Sequence, residues 1–130
     1  MKTYLTTILF ILTAFPALFV SGQNNAVSDN IIAALNKGNA SQLSGYFGST
    51  VEIVLLDRSD VYSKQQAASV ISGFFNQNTV TKGFQIVHNG TKDATSFMIG
   101  NLSTNSGVYR VYVLLRNAEP QTIQQLRIEK

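Results

Sequence analysis

Thr95–Lys130 constrains this chain most. Thr95–Ser103, Val108–Arg116 and Thr122–Glu129 read as strands, and short turn sequences, Asn105-Ser106-Gly107 and Asn117-Ala118-Glu119-Pro120, separate the three runs. Alternation places side chains on the two faces of a strand by turns. Connections this short join antiparallel neighbours, so the region predicts a meander onto which the remaining chain must pack.

Register refines that expectation. Pairing Arg116 with Gln121 across the last loop puts Tyr109, Val111, Val113 and Leu115 on one face with Leu126 and Ile128. Arg110, Tyr112, Leu114 and Arg116 then share the other face with Ile123, Gln125 and Arg127. A one-residue slip would destroy this segregation. A tight turn at Asn105-Ser106 adds Met98, Gly100 and Leu102 to the apolar face and Phe97, Ile99 and Asn101 to the mixed one. The apolar face is expected to meet the helices.

Upstream, Ile31, Ile32 and Leu35 form a helical stripe, with Ser28 as N-cap, Asp29 at the positive dipole end and Gly38 as a left-handed terminator. Asn39 and Gln42 have capping-box spacing for a second helix carrying Leu43, Tyr46 and Phe47 and ending at Gly48. Val51–Leu56 reads as a strand closed by the turn cluster Asp57-Arg58-Ser59-Asp60, with Val61-Tyr62 as a short return strand. Ser63 and Gln66 cap a third helix whose buried stripe is Ala67, Val70, Ile71, Phe74 and Phe75. Gly73 within it suggests a close helix–sheet approach. A further strand, Phe84–Asn89, is expected to end in a turn at Asn89-Gly90. The order α-α-β-β-α-β-β-β-β predicts an α+β domain.

Residues 1–22 carry a different signal. Lys2 precedes an almost wholly apolar run from Leu5 to Val20, and Val20 and Gly22 provide small residues before the polar start at Gln23. This is the pattern of a secretory signal peptide cut after Gly22, leaving a single domain over residues 23–130. The apolar run is shorter than the roughly 20 residues of a spanning helix, and Pro16 interrupts it, so no membrane span is expected after cleavage. A periplasmic or secreted location follows. The chain has no cysteine, which excludes disulfides and thiolate chemistry, and an exported chain of this length must rest on its apolar core alone. The formal net charge is +3, part of it from Lys2. With no basic run before the last strands, nucleic acid and anionic membrane are not indicated as partners.

Three stretches carry a family resemblance: Val61-Tyr62-Ser63-Lys64 with Gln66-Ala67, Phe74-Phe75, and Gly107–Tyr112 followed by Ile123–Glu129. Through them the chain resembles a bacterial secreted family known as domain of unknown function 4783, with a nuclear-transport-factor-2-like fold. The resemblance implies three helices on a curved, mainly antiparallel sheet forming a cone, and an exported location. It carries over no catalytic residue.

Chemistry is sparsely encoded. His88 is the single histidine, and Asp93 could lie across the Asn89-Gly90 turn as its partner for acid–base work. Glu52 is a further catalytic candidate if it points inward, whereas Asp57 and Asp60 read as turn formers. One histidine and no cysteine leave no nitrogen or sulfur metal site, and no phosphate loop or nucleophile motif indicates a cofactor. The sequons at Asn39, Asn89 and Asn101 carry no weight, since such triplets are frequent by chance and the resemblance is to bacterial proteins. Arg110, Tyr112, Gln125 and Arg127 form the one constellation with a ligand-binding reading, two arginines on adjacent strands able to clamp an anion. The same residues also read as intramolecularly paired with Glu129 or Glu119, or as a homodimer face built on Phe97, Ile99, Tyr112 and Leu114. The expected function is a non-enzymatic binding or accessory domain for a small ligand or an envelope protein. The alternatives are an isomerase or lyase working in the cone interior and a structural subunit of an envelope complex.

Overall fold

The computed structural model describes residues 26–130; the expected signal peptide and its cleavage point lie outside them. Helices α1 (Ala26–Lys37) and α2 (Ala40–Ser44) precede strands β1 (Phe47–Leu55) and β2 (Arg58–Ser63). Helix α3 (Lys64–Gln77) leads into β3 (Val80–Lys92), β4 (Thr95–Thr104), β5 (Gly107–Arg116) and β6 (Thr122–Glu129). The strands form one sheet in the order β2-β1-β6-β5-β4-β3. All pairs are antiparallel except β1–β6, which is parallel and inserts the first strand beside the last.

One face of this sheet and the three helices enclose the core. Val51 and Ile53 of β1, Met98 and Leu102 of β4, and alternate residues of β5 from Tyr109 to Leu115 are buried there against Ile31, Leu35, Leu43, Ile71 and Phe74. Each helix presents one apolar stripe, as its 3.6-residue period demands. Two expected devices hold the helix ends. Gly38 takes a left-handed φ of 62° after α1, and Ser63 and Gln66 close a reciprocal capping box on α3. At one end of the core, the Tyr109 hydroxyl donates to Asn78 Oδ1 at 3.0 Å, while Asn78 Nδ2 donates to the Phe74 carbonyl at 2.9 Å. Together these bonds satisfy the buried Asn78 amide.

Several local expectations are corrected. α1 already runs from Ala26, so Ser28 lies within its first turn and does not cap it. α2 stops at Ser44; the Tyr46 carbonyl accepts the Ile123 N–H at 2.7 Å, and Phe47 is drawn into β1 opposite Ile123, which also places Gly48 in a strand. The β1–β2 turn is only Leu56-Asp57, so Asp60 lies in β2, where its carboxylate accepts the Val61 N–H at 2.8 Å. Gly73 faces open space: a Cβ added there would meet nothing within 4 Å, which removes the close-approach explanation.

The largest corrections concern register. Asn89 and Gly90 are not a turn, because β3 continues to Lys92 and the chain reverses at Asp93-Ala94, with Asp93 at φ 55°. Gly90 is instead covered by the Phe97 ring, which a Cβ there would approach to 2.9 Å. In the last hairpin Arg116 pairs with Thr122, not Gln121, and a register shift follows between Leu114 and Leu115. Leu115 then pairs with Ile123 and Leu114 with Gln125, leaving Gln124 as the extra residue of a bulge. The bulge turns Ile123 from the mixed face into the core, where it is fully buried. Beyond it the pairing is offset from expectation by two residues, which preserves the faces of Gln125, Leu126, Arg127 and Ile128.

Candidate functional site

Two surfaces carry the chemistry. The outer face of the sheet holds the residues singled out in the sequence. Its rows follow from the pairing: Gly90, Phe97, Leu114, Gln125 and Glu52 run across one, and His88, Ile99, Tyr112, Arg127 and Val54 across the next. Arg110 stands opposite both Asn101 and Glu129. Phe97, Ile99, Tyr112 and Leu114 are half-buried and lie outside the core cluster. The His88 and Phe97 rings are 5.3 Å apart, and Phe97 lies nearly parallel to Tyr112 at 6.4 Å. An aromatic strip therefore crosses three strands.

The arginines of this face already have an acidic neighbour. Arg127 pairs with Glu129 at 3.5 Å, both side chains nearly half exposed, and Glu129 is also the cross-strand neighbour of Arg110. Glu129 thus supplies Arg127 with the carboxylate that an external anion would otherwise offer it. An exposed pair of this kind contributes little to stability. Glu52 accepts a 3.4 Å hydrogen bond from the Ser59 hydroxyl on the same face. His88 pairs with Ile99, whereas Asp93 lies beyond the Lys92–Thr95 pair at the hairpin tip, so the structure does not bring these two together. Among the described residues no three acidic or histidine side chains gather to hold a metal ion.

The second surface is a cavity of about 460 Å³ beside the first turn of α1 at the ends of β3, β4 and β5; it lies mainly on the helix side of the sheet, but Gly90 and Phe97 of the outer face also line it. Its volume falls in the range of small-molecule sites. Ile32, Ile86, Met98 and Leu115 supply its apolar wall. Its polar rim is a connected chain: Thr91 and Ser96 hydroxyls lie 3.1 Å apart, Asn117 Nδ2 donates to Ser96 Oγ at 2.9 Å, and Gln121 Nε2 donates to Asn117 Oδ1 at 2.6 Å. Asp29, one turn before Ile32 on α1, is the one ionisable side chain among the described residues of the lining. Neither His88, Glu52 nor the arginine group reaches this cavity.

Sequence reasoning missed this site because its residues are common turn and cap types. One signal was present. On β4 the inward alternation Leu102, Gly100, Met98 continues to Ser96, so a hydroxyl occupies a core-face position at the strand's open end.

No protein of curated function matches the chain. A crystal structure from Bacteroides ovatus is 37% identical over 78% of this chain and 92% of its own, with a TM-score of 0.74. Another, from Bacteroides uniformis, is 32% identical over 80% of this chain and 96% of its own, with a TM-score of 0.75. Both are DUF4783 family proteins. At the level of fold alone, an NTF2-like family protein from Streptomyces avermitilis matches with a TM-score of 0.60 at 11% identity, over 83% of this chain and 93% of its own. The model of the family Domain of unknown function (DUF4783) matches residues 28–129, and with its helix order and six-stranded sheet the chain belongs to that family, on a nuclear-transport-factor-2-like fold.

Proposed function

We propose that this protein is an extracytoplasmic, non-enzymatic binding domain that holds a small ligand in the cavity between α1 and the β3–β5 end of the sheet. The observation that carries this reading is the lining: an apolar wall facing a hydrogen-bonded polar rim, the arrangement that buries and orients a small molecule. An isomerase or lyase in the same cavity would need a matched acid and base, and Asp29 has no titratable partner among the described residues of the lining. The exported location rests on the signal pattern of residues 1–22.

Mass spectrometry of small molecules released from protein purified from its native envelope tests the reading. The expected result is a stoichiometric ligand, with occupancy reduced about tenfold in Asn117→Leu, which removes the centre of the rim's hydrogen-bond chain. Wild-type protein that releases nothing, and whose melting temperature no small molecule raises, would reject it.

The outer face favours a second reading, contact with another copy of this chain. Its aromatic and aliphatic centre is separate from the core, and arginines and glutamates stand beside it in the self-complementary mixture that a two-fold contact requires. Light scattering at micromolar concentration should give a dimer mass for wild type and a monomer mass for Tyr112→Arg. A wild-type monomer would exclude the contact.

A further inference from the structure

We infer that the cavity selects a small organic amine, a ligand whose apolar body lies on the Ile32, Ile86, Met98 and Leu115 wall and whose ammonium group meets Asp29. The inference rests on the binding reading above and assigns that ligand its chemical class.

Among its described residues the lining offers an anion no charged donor. Thr91, Ser96, Asn117 and Gln121 are engaged with one another. These bonds take up the hydroxyl protons and one N–H of each amide, leaving an anion only neutral donors: the second N–H of Asn117 and of Gln121, and the side chains of Ser28 and Asn89. Asp29 is different. Among the described residues the one ion pair is Arg127–Glu129, so the Asp29 carboxylate has no cationic partner there. It accepts only, and it answers best to a charged donor.

The surrounding charge points the same way. The formal net charge is positive, yet among the described residues no lysine or arginine lines the cavity. An adjoining groove shares Asn117 and Gln121 with it and adds Glu119, again with no basic side chain among the described residues. Lys92 and Arg116 stand at the same strand ends but outside the lining, so the charged side chain that faces the cavity itself is an anion, which favours a cation there. Asp29 is exposed at the rim, so solvent screens the attraction and limits the preference to a modest factor.

Three probes with the same apolar body separate the outcomes: hexylamine, hexanol and hexanoate, titrated at neutral pH against the backbone amide signals of Ile32, Met98 and Leu115. Hexylamine is expected to bind about three- to tenfold more tightly than hexanol, with hexanoate the weakest. Asp29→Asn should abolish the advantage of the amine over the alcohol. Hexanoate binding as tightly as hexylamine, or an amine preference that survives Asp29→Asn, overturns the amine assignment while leaving a binding cavity. Failure of all three to move those signals overturns the binding reading itself.

Discussion

Gly100→Ala is expected to cost about 2–3 kcal/mol or to prevent folding, a loss near the upper end for an added methyl group. Gly100 lies on the core face of β4, and a Cβ there would come within 2.5 Å of the Gln85 carbonyl oxygen and of two Phe84 ring carbons. A ring can turn aside, but the carbonyl belongs to the adjacent strand and moves only if the β3–β4 pairing moves. The contrast is Gly73, on the exposed side of α3 with open space around it. Gly73→Ala should stabilise the protein by about 1 kcal/mol through helix propensity. Urea denaturation of both variants checks the pair, since opposite signs for the same added methyl group distinguish crowding from backbone propensity. Equal small effects would show that β4 does not pack against Phe84 as described.

Ile123→Ala is the second large effect, expected at about 3 kcal/mol and roughly 10 °C or more in melting temperature. Ile123 is fully buried, between Phe47 of β1 and Leu115 of β5. The alternation of β6 alone would put it on the outer face with Ile99, where truncation removes far less apolar contact and should cost about 1 kcal/mol. Thermal melts of Ile123→Ala and Ile99→Ala therefore test the bulge at Gln124 directly. Similar losses in the two variants would mean that β6 runs without the bulge and that Ile123 faces outward.

The elements are legible where local chemistry decides them. Ser63 and Gln66 announce the start of α3 because their side chains bond to backbone within one turn. The β4–β5 pairing is legible residue by residue, from Phe97 opposite Leu114 to Asn101 opposite Arg110, because a tight turn leaves one register that segregates the two faces. The longer Asn117–Gln121 connection leaves more freedom, and there alternation alone misplaces Ile123. Asn89-Gly90 misleads for a related reason. A turn-forming pair can equally mark a strand position where a neighbouring ring needs the space, and only Phe97 across the strand pair decides between them.

The candidate site divides along the same line. The grouping of Arg110, Tyr112, Gln125 and Arg127 on one face follows from period-two alternation, so the sequence alone determined it, as it determined the α+β order and the family resemblance. The cavity depends on contacts between segments far apart in the chain. Asp29 from α1, Thr91 and Ser96 from β3 and β4, and Asn117 and Gln121 from the last loop share no local pattern. They meet because β1 inserts beside β6, α1 lies across the far end of the sheet, and the open strand ends are left uncovered by the core. Local hydrogen bonding and alternation act within a few residues, and they determined which elements form and which way their side chains face. The order of the strands and the place where the helices leave a space were decided by packing the whole chain at once.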